Sequence, residues 1–287
     1  MEGFSGWLHM IEALGALLRR LLPQQGRAAR HRTGDADLDV EQISARISDL
    51  ERQRLEHDSV RWDLASSLIQ RGNSFRAVNR CVDAERDYSR AFGLYGEDGV
   101  ADDPCPDAMA VARRLVSRGM LERDAEKLTI SITTFDQAMG RLNEAPIEGA
   151  NYESILLRAT ILDNRGLARI RLQDSNGAIA DFTGSIEFAH KSFENRRAAE
   201  SAWALIEALS NRGASYSHSG RHAEALGDYN AALEWCRILS ELDATVGRSS
   251  LARCLENRGW VFHNMAKQAE AQRDFAEAKA IKEASAR

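Results

Sequence analysis

Leu162-Asp163-Asn164-Arg165-Gly166 and Leu209-Ser210-Asn211-Arg212-Gly213 are two occurrences of one pattern: a leucine, two variable residues, then Arg-Gly. The pattern stands also at Leu68-Ile69-Gln70-Arg71-Gly72, Leu115-Val116-Ser117-Arg118-Gly119 and Leu255-Glu256-Asn257-Arg258-Gly259. The five glycines are separated by 47, 47, 47 and 46 residues. One motif recurring at a fixed period marks a repeat array, in which each unit buries its apolar face against its neighbours.

Other landmarks keep step with the glycines. Twelve residues on stand Ala84, Ser131, Ala178, Ala225 and Ala271, and sixteen on stand Tyr88, Phe135, Phe182, Tyr229 and Phe275. Nineteen on come Ala91, Ala138, Ser185, Ala232 and Ala278. Glycine and the small residues let two helices approach closely, and an aromatic has roughly 150–250 Å² to bury in the gap between neighbouring pairs. This frame resembles the tetratricopeptide repeat over about residues 59–285. The resemblance implies an all-α fold: a right-handed superhelical solenoid of antiparallel helix pairs.

The usual unit of that family is about 34 residues, so each repeat here is longer by about 13. Trp62, Met109, Leu156 and Trp203, ten residues before the glycine, point to an earlier start of the first helix; the fifth repeat has Ser249 instead. First helices are expected near 59–78, 106–124, 152–173, 199–218 and 246–265, and second helices near 80–95, 127–143, 176–195, 221–243 and 268–285. Asn176-Gly177 and Ser219-Gly220 mark turns within pairs, Pro106 suits a first helical position, and residues 96–105 form an acidic loop. The resulting organisation is an amphipathic N-terminal helix (1–22), a basic linker (23–37), a leading or capping helix (38–58) and a five-repeat solenoid (59–287). The repeats fall near 59–95, 106–143, 152–195, 199–243 and 246–285.

Only four prolines interrupt 287 residues, and the composition of 44% hydrophobic and 28% charged residues is that of a soluble folded chain. A formal net charge of −5 gives no electrostatic case for nucleic acid. Of the 38 basic residues only five are lysine. Cys81, Cys105, Cys236 and Cys254 have no paired spacing, which fits free thiols in a reducing compartment.

The residue before each glycine is ordinarily apolar in the family, yet here it is arginine five times. Fifteen residues after the glycine stand Asp87, Thr134, Asp181, Asp228 and Asp274. The shared offset predicts ion pairs Arg71–Asp87, Arg165–Asp181, Arg212–Asp228 and Arg258–Asp274, with Arg118 opposite Thr134 and using Asp136. An anion-binding arginine ladder is the alternative; a ligand-binding arginine needs no aspartate in register, which favours the structural role.

In the family the first helices line a concave groove, and residues near the glycine face it. The resemblance therefore implies a groove with Gln70, Ser117, Asn164, Asn211 and Asn257 as an amide ladder, able to donate and accept toward a peptide backbone. Around it stand Arg76, Arg113, Arg123 and Arg171 early in the chain, and Asp163, Glu207, His218, Glu256, Trp260 and His263 later. This polarity matches an oppositely polarised peptide; an ordinary solvated face is the other reading. Ile69 and Val116 occupy positions where a lysine would clamp a C-terminal carboxylate, which disfavours chaperone tails.

Phe4, Trp7, Leu8, Ile11, Leu14, Leu18, Leu21 and Leu22 form one apolar helical face, followed by Arg27, Arg30, His31 and Arg32. Such a helix suits a membrane surface, a partner protein, or the exposed first face of the solenoid. Glu12, Arg19 and Arg20 interrupt it too often for a bilayer span, and it lacks the basic n-region of a secretory signal. Val40, Ile43, Ile47 and Leu50 mark the leading helix. The expected location is cytoplasmic, with peripheral membrane contact through residues 1–22 as one option.

No phosphate-binding loop, nucleophile elbow, zincin motif or zinc-type cysteine pair occurs. No cofactor, metal or catalytic residue is expected. The sequence reads as a non-enzymatic adaptor that holds an unidentified protein or peptide in its groove; the alternative is a membrane-associated regulatory subunit targeted by the N-terminal helix.

Overall fold

The computed structural model describes residues 33–53, 58–78, 80–94, 108–143 and 151–285. The amphipathic segment 1–22, its basic linker up to residue 32, Pro106 and the acidic loop 96–105 lie outside the described residues. Eleven helices make up the described secondary structure: α1 Thr33–Arg52, α2 Asp58–Ala77, α3 Cys81–Gly93, α4 Ala108–Asp124, α5 Leu128–Asn143, α6 Tyr152–Arg171, α7 Ser175–Asn195, α8 Ala199–His218, α9 His222–Leu242, α10 Ala244–Asn264 and α11 Gln268–Ser285. The first, α1, begins inside the stretch expected as a linker. None of the described helices is long and apolar enough to cross a membrane.

The chain divides into two compact units, Met1–Asp103 with Leu121–Lys127, and Pro104–Met120 with Leu128–Arg287. In the first unit α1 packs on α2 through Ile43, Ile47 and Leu50, and α2 pairs with α3. In the second, α6 pairs with α7, α8 with α9 and α10 with α11, while α7 packs on α8 and α9 on α10. Both units are all-α and built of paired antiparallel helices.

Four turns within pairs are built alike. Glu126, Gln173, Gly220 and Ala266, each seven residues after its repeat's glycine, have φ between 59° and 75°. Such a left-handed residue closes a helix in the Schellman manner, and the diagnostic hydrogen bonds are present: Lys127 N to Glu122 O, Asp174 N to Arg169 O, Arg221 N to Tyr216 O and Lys267 N to Phe262 O. The turn expected at Asn176-Gly177 therefore lies earlier, on Gln173. Both residues instead belong to the first turn of α7, where Asp174 caps the helix by accepting from Gly177 N at 2.9 Å.

The repeat glycines sit under their aromatics. A Cβ on Gly72, Gly119, Gly166 or Gly259 would come within 2.5–2.8 Å of a ring carbon of Tyr88, Phe135, Phe182 or Phe275, whereas at Gly213 the nearest atom stands at 3.3 Å. Where serine takes an alanine's place, its buried hydroxyl bonds a carbonyl of the first helix: Ser131 to Gly119 O at 2.7 Å, and Ser185 to Ala159 O at 2.9 Å. Phe182 is fully buried and has no room to swing aside. Gly166→Ala is therefore expected to cost about 1–3 kcal/mol by overpacking, and Gly213→Ala clearly less. Urea midpoints of the two variants check this; equal losses would mean that the ring does not set the spacing.

Candidate functional site

The arginines before the glycines reach across helices with a fixed geometry. Arg71 on α2 donates from Nε and Nη2 to Asp87 at 2.7 and 2.8 Å, and from Nη1 to Ser44 Oγ on α1 at 3.0 Å. Arg212 grips Asp228 at 2.9 and 2.7 Å and Thr183 Oγ1 at 3.1 Å. Arg258 holds Asp274 at 2.8 Å with both nitrogens, and Asn230 Oδ1 at 2.8 Å. Arg165 binds Asp181 at 3.0 and 2.5 Å, and its Nη1 bonds Asp136. The planar guanidinium suits this work, because its fork matches a carboxylate while a third donor remains for another helix. The hydrogen bonds to aspartate hold all four arginines above the ordinary arginine value, against the effect of burial.

The Arg–Asp offset does not predict the third contact. Asp136, Thr183 and Asn230 each lie seventeen residues after the preceding glycine, on the second helix of the previous repeat. The signal was present as a polar acceptor at that offset, but only packing shows that the next repeat's arginine reaches it. Asp136, expected for Arg118, bonds Arg165 of the next repeat, because the second helix presents this position forward along the stack. Asp181 carries a further partner, Arg169, at 2.9 Å.

Much of the polarity expected around a groove ties first helices to one another in the second unit. Arg113 on α4 bonds Glu153 on α6 at 2.5 Å, Asn211 on α8 bonds Asp163 on α6 at 3.0 Å, and Arg253 on α10 holds Glu207 on α8 with both terminal nitrogens. Glu256 accepts from Lys282 on α11 at 2.5 Å. Asn164 is buried and donates to Thr160 O at 2.8 Å. Arg158, not singled out from sequence, is fully buried and donates to Leu142 O at the C-terminal end of α5, where the helix dipole favours a cation; burial lowers its pKa.

The other residues of the expected groove set differ in exposure. Asn257 is half-buried, Trp260 is 57% exposed, and His263 is exposed; at spacings of three they share one face of α10. Edge-on contacts to Phe275 at 5.4 Å and His263 at 5.6 Å hold the Trp260 ring. His218 is exposed at the end of α8 and Arg171 at the end of α6. In the first unit Gln70 is exposed, and Arg76 is exposed with Nη1 directed to Ala125 O at 3.4 Å. Arg123 is buried rather than presented, its side chain turned onto Asp124 at 3.1 Å. Among the described residues no group of three His, Cys, Asp or Glu is placed to hold a metal.

No protein-family model and no curated protein sequence matches the chain. Among solved structures, BtubC (BKLC) from P. vanneervenii is similar over 87% of this chain and 91% of its own, with 15% identity and a TM-score of 0.54. The apo form of RapI is similar over 88% of this chain and 64% of its own, with 14% identity and a TM-score of 0.53. YrrB, described as a TPR protein with an unusual peptide-binding site, aligns over 84% of this chain with 16% identity and a TM-score of 0.36. At these identities the first two likenesses concern architecture alone, and the third is too distant to add to them.

Proposed function

We propose that the chain is a non-enzymatic adaptor that holds a peptide or helix of a partner protein against the first helices of its second unit, with the face Asn257, Trp260 and His263 at the centre of the contact. The observation that carries this reading is Trp260: a large ring more than half in water, yet held in one orientation by Phe275 and His263. A pre-ordered aromatic loses little entropy on binding and is the residue type that dominates interfaces. One helical turn away, the Asn257 amide offers both a donor and an acceptor to a backbone. Asn164 and Asn211 spend their amide donors within the fold, on Thr160 O and Asp163.

The test is affinity capture from native lysate with wild type, Trp260→Ala, Asn257→Ala and, as a control on α9, Arg237→Ala. A protein held by wild type and the control, with its dissociation constant weakened roughly 30-fold or more by Trp260→Ala, matches a hot spot of about 2 kcal/mol. A partner held equally by all four proteins would move the site away from this face.

A further inference from the structure

Cys236 on α9 and Cys254 on α10 are wholly buried free thiols with their sulfurs 3.8 Å apart. Their placement follows from the repeat. Cys236 stands 23 residues after Gly213, and Cys254 five before Gly259. The same two positions one repeat earlier are Ala189 and Ala208, also fully buried. Small side chains thus stand at these two successive crossings of one repeat's second helix with the next repeat's first helix, whereas the crossing before them has Leu142 and Ile161; at the later one two sulfurs meet. The Cys236 thiol donates to Cys254, whose sulfur also lies 3.5 Å from Ser210 Oγ. That hydrogen bond raises the Cys236 pKa and lowers that of Cys254, making Cys254 the readier nucleophile.

We infer that Cys236 and Cys254 form a two-electron redox site that a hydroperoxide converts into a disulfide, fastening α10 and α11 to the repeat before them. The Cys254 thiolate attacks the distal peroxide oxygen, breaking the O–O bond; the sulfur becomes a sulfenic acid and the leaving oxygen takes the thiol's proton as an alcohol or water. The Cys236 sulfur then attacks the sulfenic sulfur, the S–S bond forms, and hydroxide leaves with the Cys236 proton as water. Two thiols lose two electrons and one hydroperoxide gains them. The sulfurs close from 3.8 Å to about 2.05 Å. Because neither is exposed, the oxidant reaches them during local opening of α10 and α11, which pack against a single neighbouring repeat within the chain. The joint they would fasten is the one that positions Asn257 and Trp260, but the inference stands independently of any partner.

The test uses the full chain, incubated with hydrogen peroxide under native conditions, then alkylated in denaturant and mapped by tryptic digestion. Two of the four thiols are expected to disappear, a linked peptide pair should carry Cys236 and Cys254, and dithiothreitol should restore both. Cys254→Ala, which places there the residue that Ala208 provides one repeat earlier, should fold and lose the linked pair. Oxidation confined to Cys81 or Cys105, a link from either of those to Cys236 or Cys254, or an oxidised Cys254 with no link would each overturn the inference.

Discussion

Replacing Asp181 with leucine is expected to lower the unfolding free energy by about 3 kcal/mol, the lower end of what breaking a buried ion pair costs. This carboxylate is 3% exposed and faces two cations, Arg165 with both nitrogens of its fork and Arg169 at 2.9 Å. Removing it leaves two guanidinium groups only 17% and 25% exposed without their main partner. The value falls at the lower end because that exposure allows some solvation and because Asp136 still contacts Arg165. The companion experiment is at the next repeat. Arg212→Leu together with Asp228→Leu should cost clearly less than Arg212→Leu alone, since a pair of apolar residues fills the space that one uncompensated charge cannot tolerate. Urea denaturation followed by circular dichroism measures both; a double variant as unstable as the single one would mean that the two residues are not energetic partners.

Gly247→Ala is expected to cost about 3 kcal/mol, the upper end of the range for overpacking. A Cβ there would stand 2.5 Å from the backbone N and Cα of Ser240, and 2.4 Å from its hydroxyl. A side chain can rotate away from such a clash, but backbone cannot. The end of α9 and the start of α10 would have to separate, loosening the junction that the Asp243 cap closes by accepting from Thr245 N and Val246 N at 3.0 Å. Gly227 provides the contrast, since it lies within α9 with nothing near its missing Cβ. Gly227→Ala should stabilise the protein by roughly 0.5–1 kcal/mol through lost backbone freedom in the unfolded chain. A destabilisation at Gly247 no larger than an exposed substitution produces would show that the two helices have slack at this crossing.

The repeat was legible in the residues because its spacing is local information. Period, helix class and the glycine–aromatic register all follow from side-chain size at helical intervals. The offset of sixteen between each arginine and its aspartate is a distance along one hairpin of helices, and a hairpin closed by a short turn brings those positions together with little freedom. Ser44, Thr183 and Asn230 as third partners of the arginines were not legible in that way. They belong to the preceding helix, and which of its faces meets the next repeat depends on how whole helices stack.

The same physics governed the candidate site. Residue type suggested a ladder of amides and a charged groove. Packing then assigned Asn211 to Asp163, Glu207 to Arg253 and Arg113 to Glu153, because donors and carboxylates brought close on successive first helices bond one another. Register separates the two tryptophans, Trp62 standing ten residues before its glycine and Trp260 one after, but residue type alone does not show that Trp62 is buried and Trp260 is left to solvent. The difference is one of tertiary environment and not of residue type. Local spacing thus determined the helices and their pairing within a repeat. Burial, the third partner of each arginine and the surface left to solvent came from contacts between repeats, where the interacting groups are far apart in sequence and their meeting is set by the packing of many side chains at once.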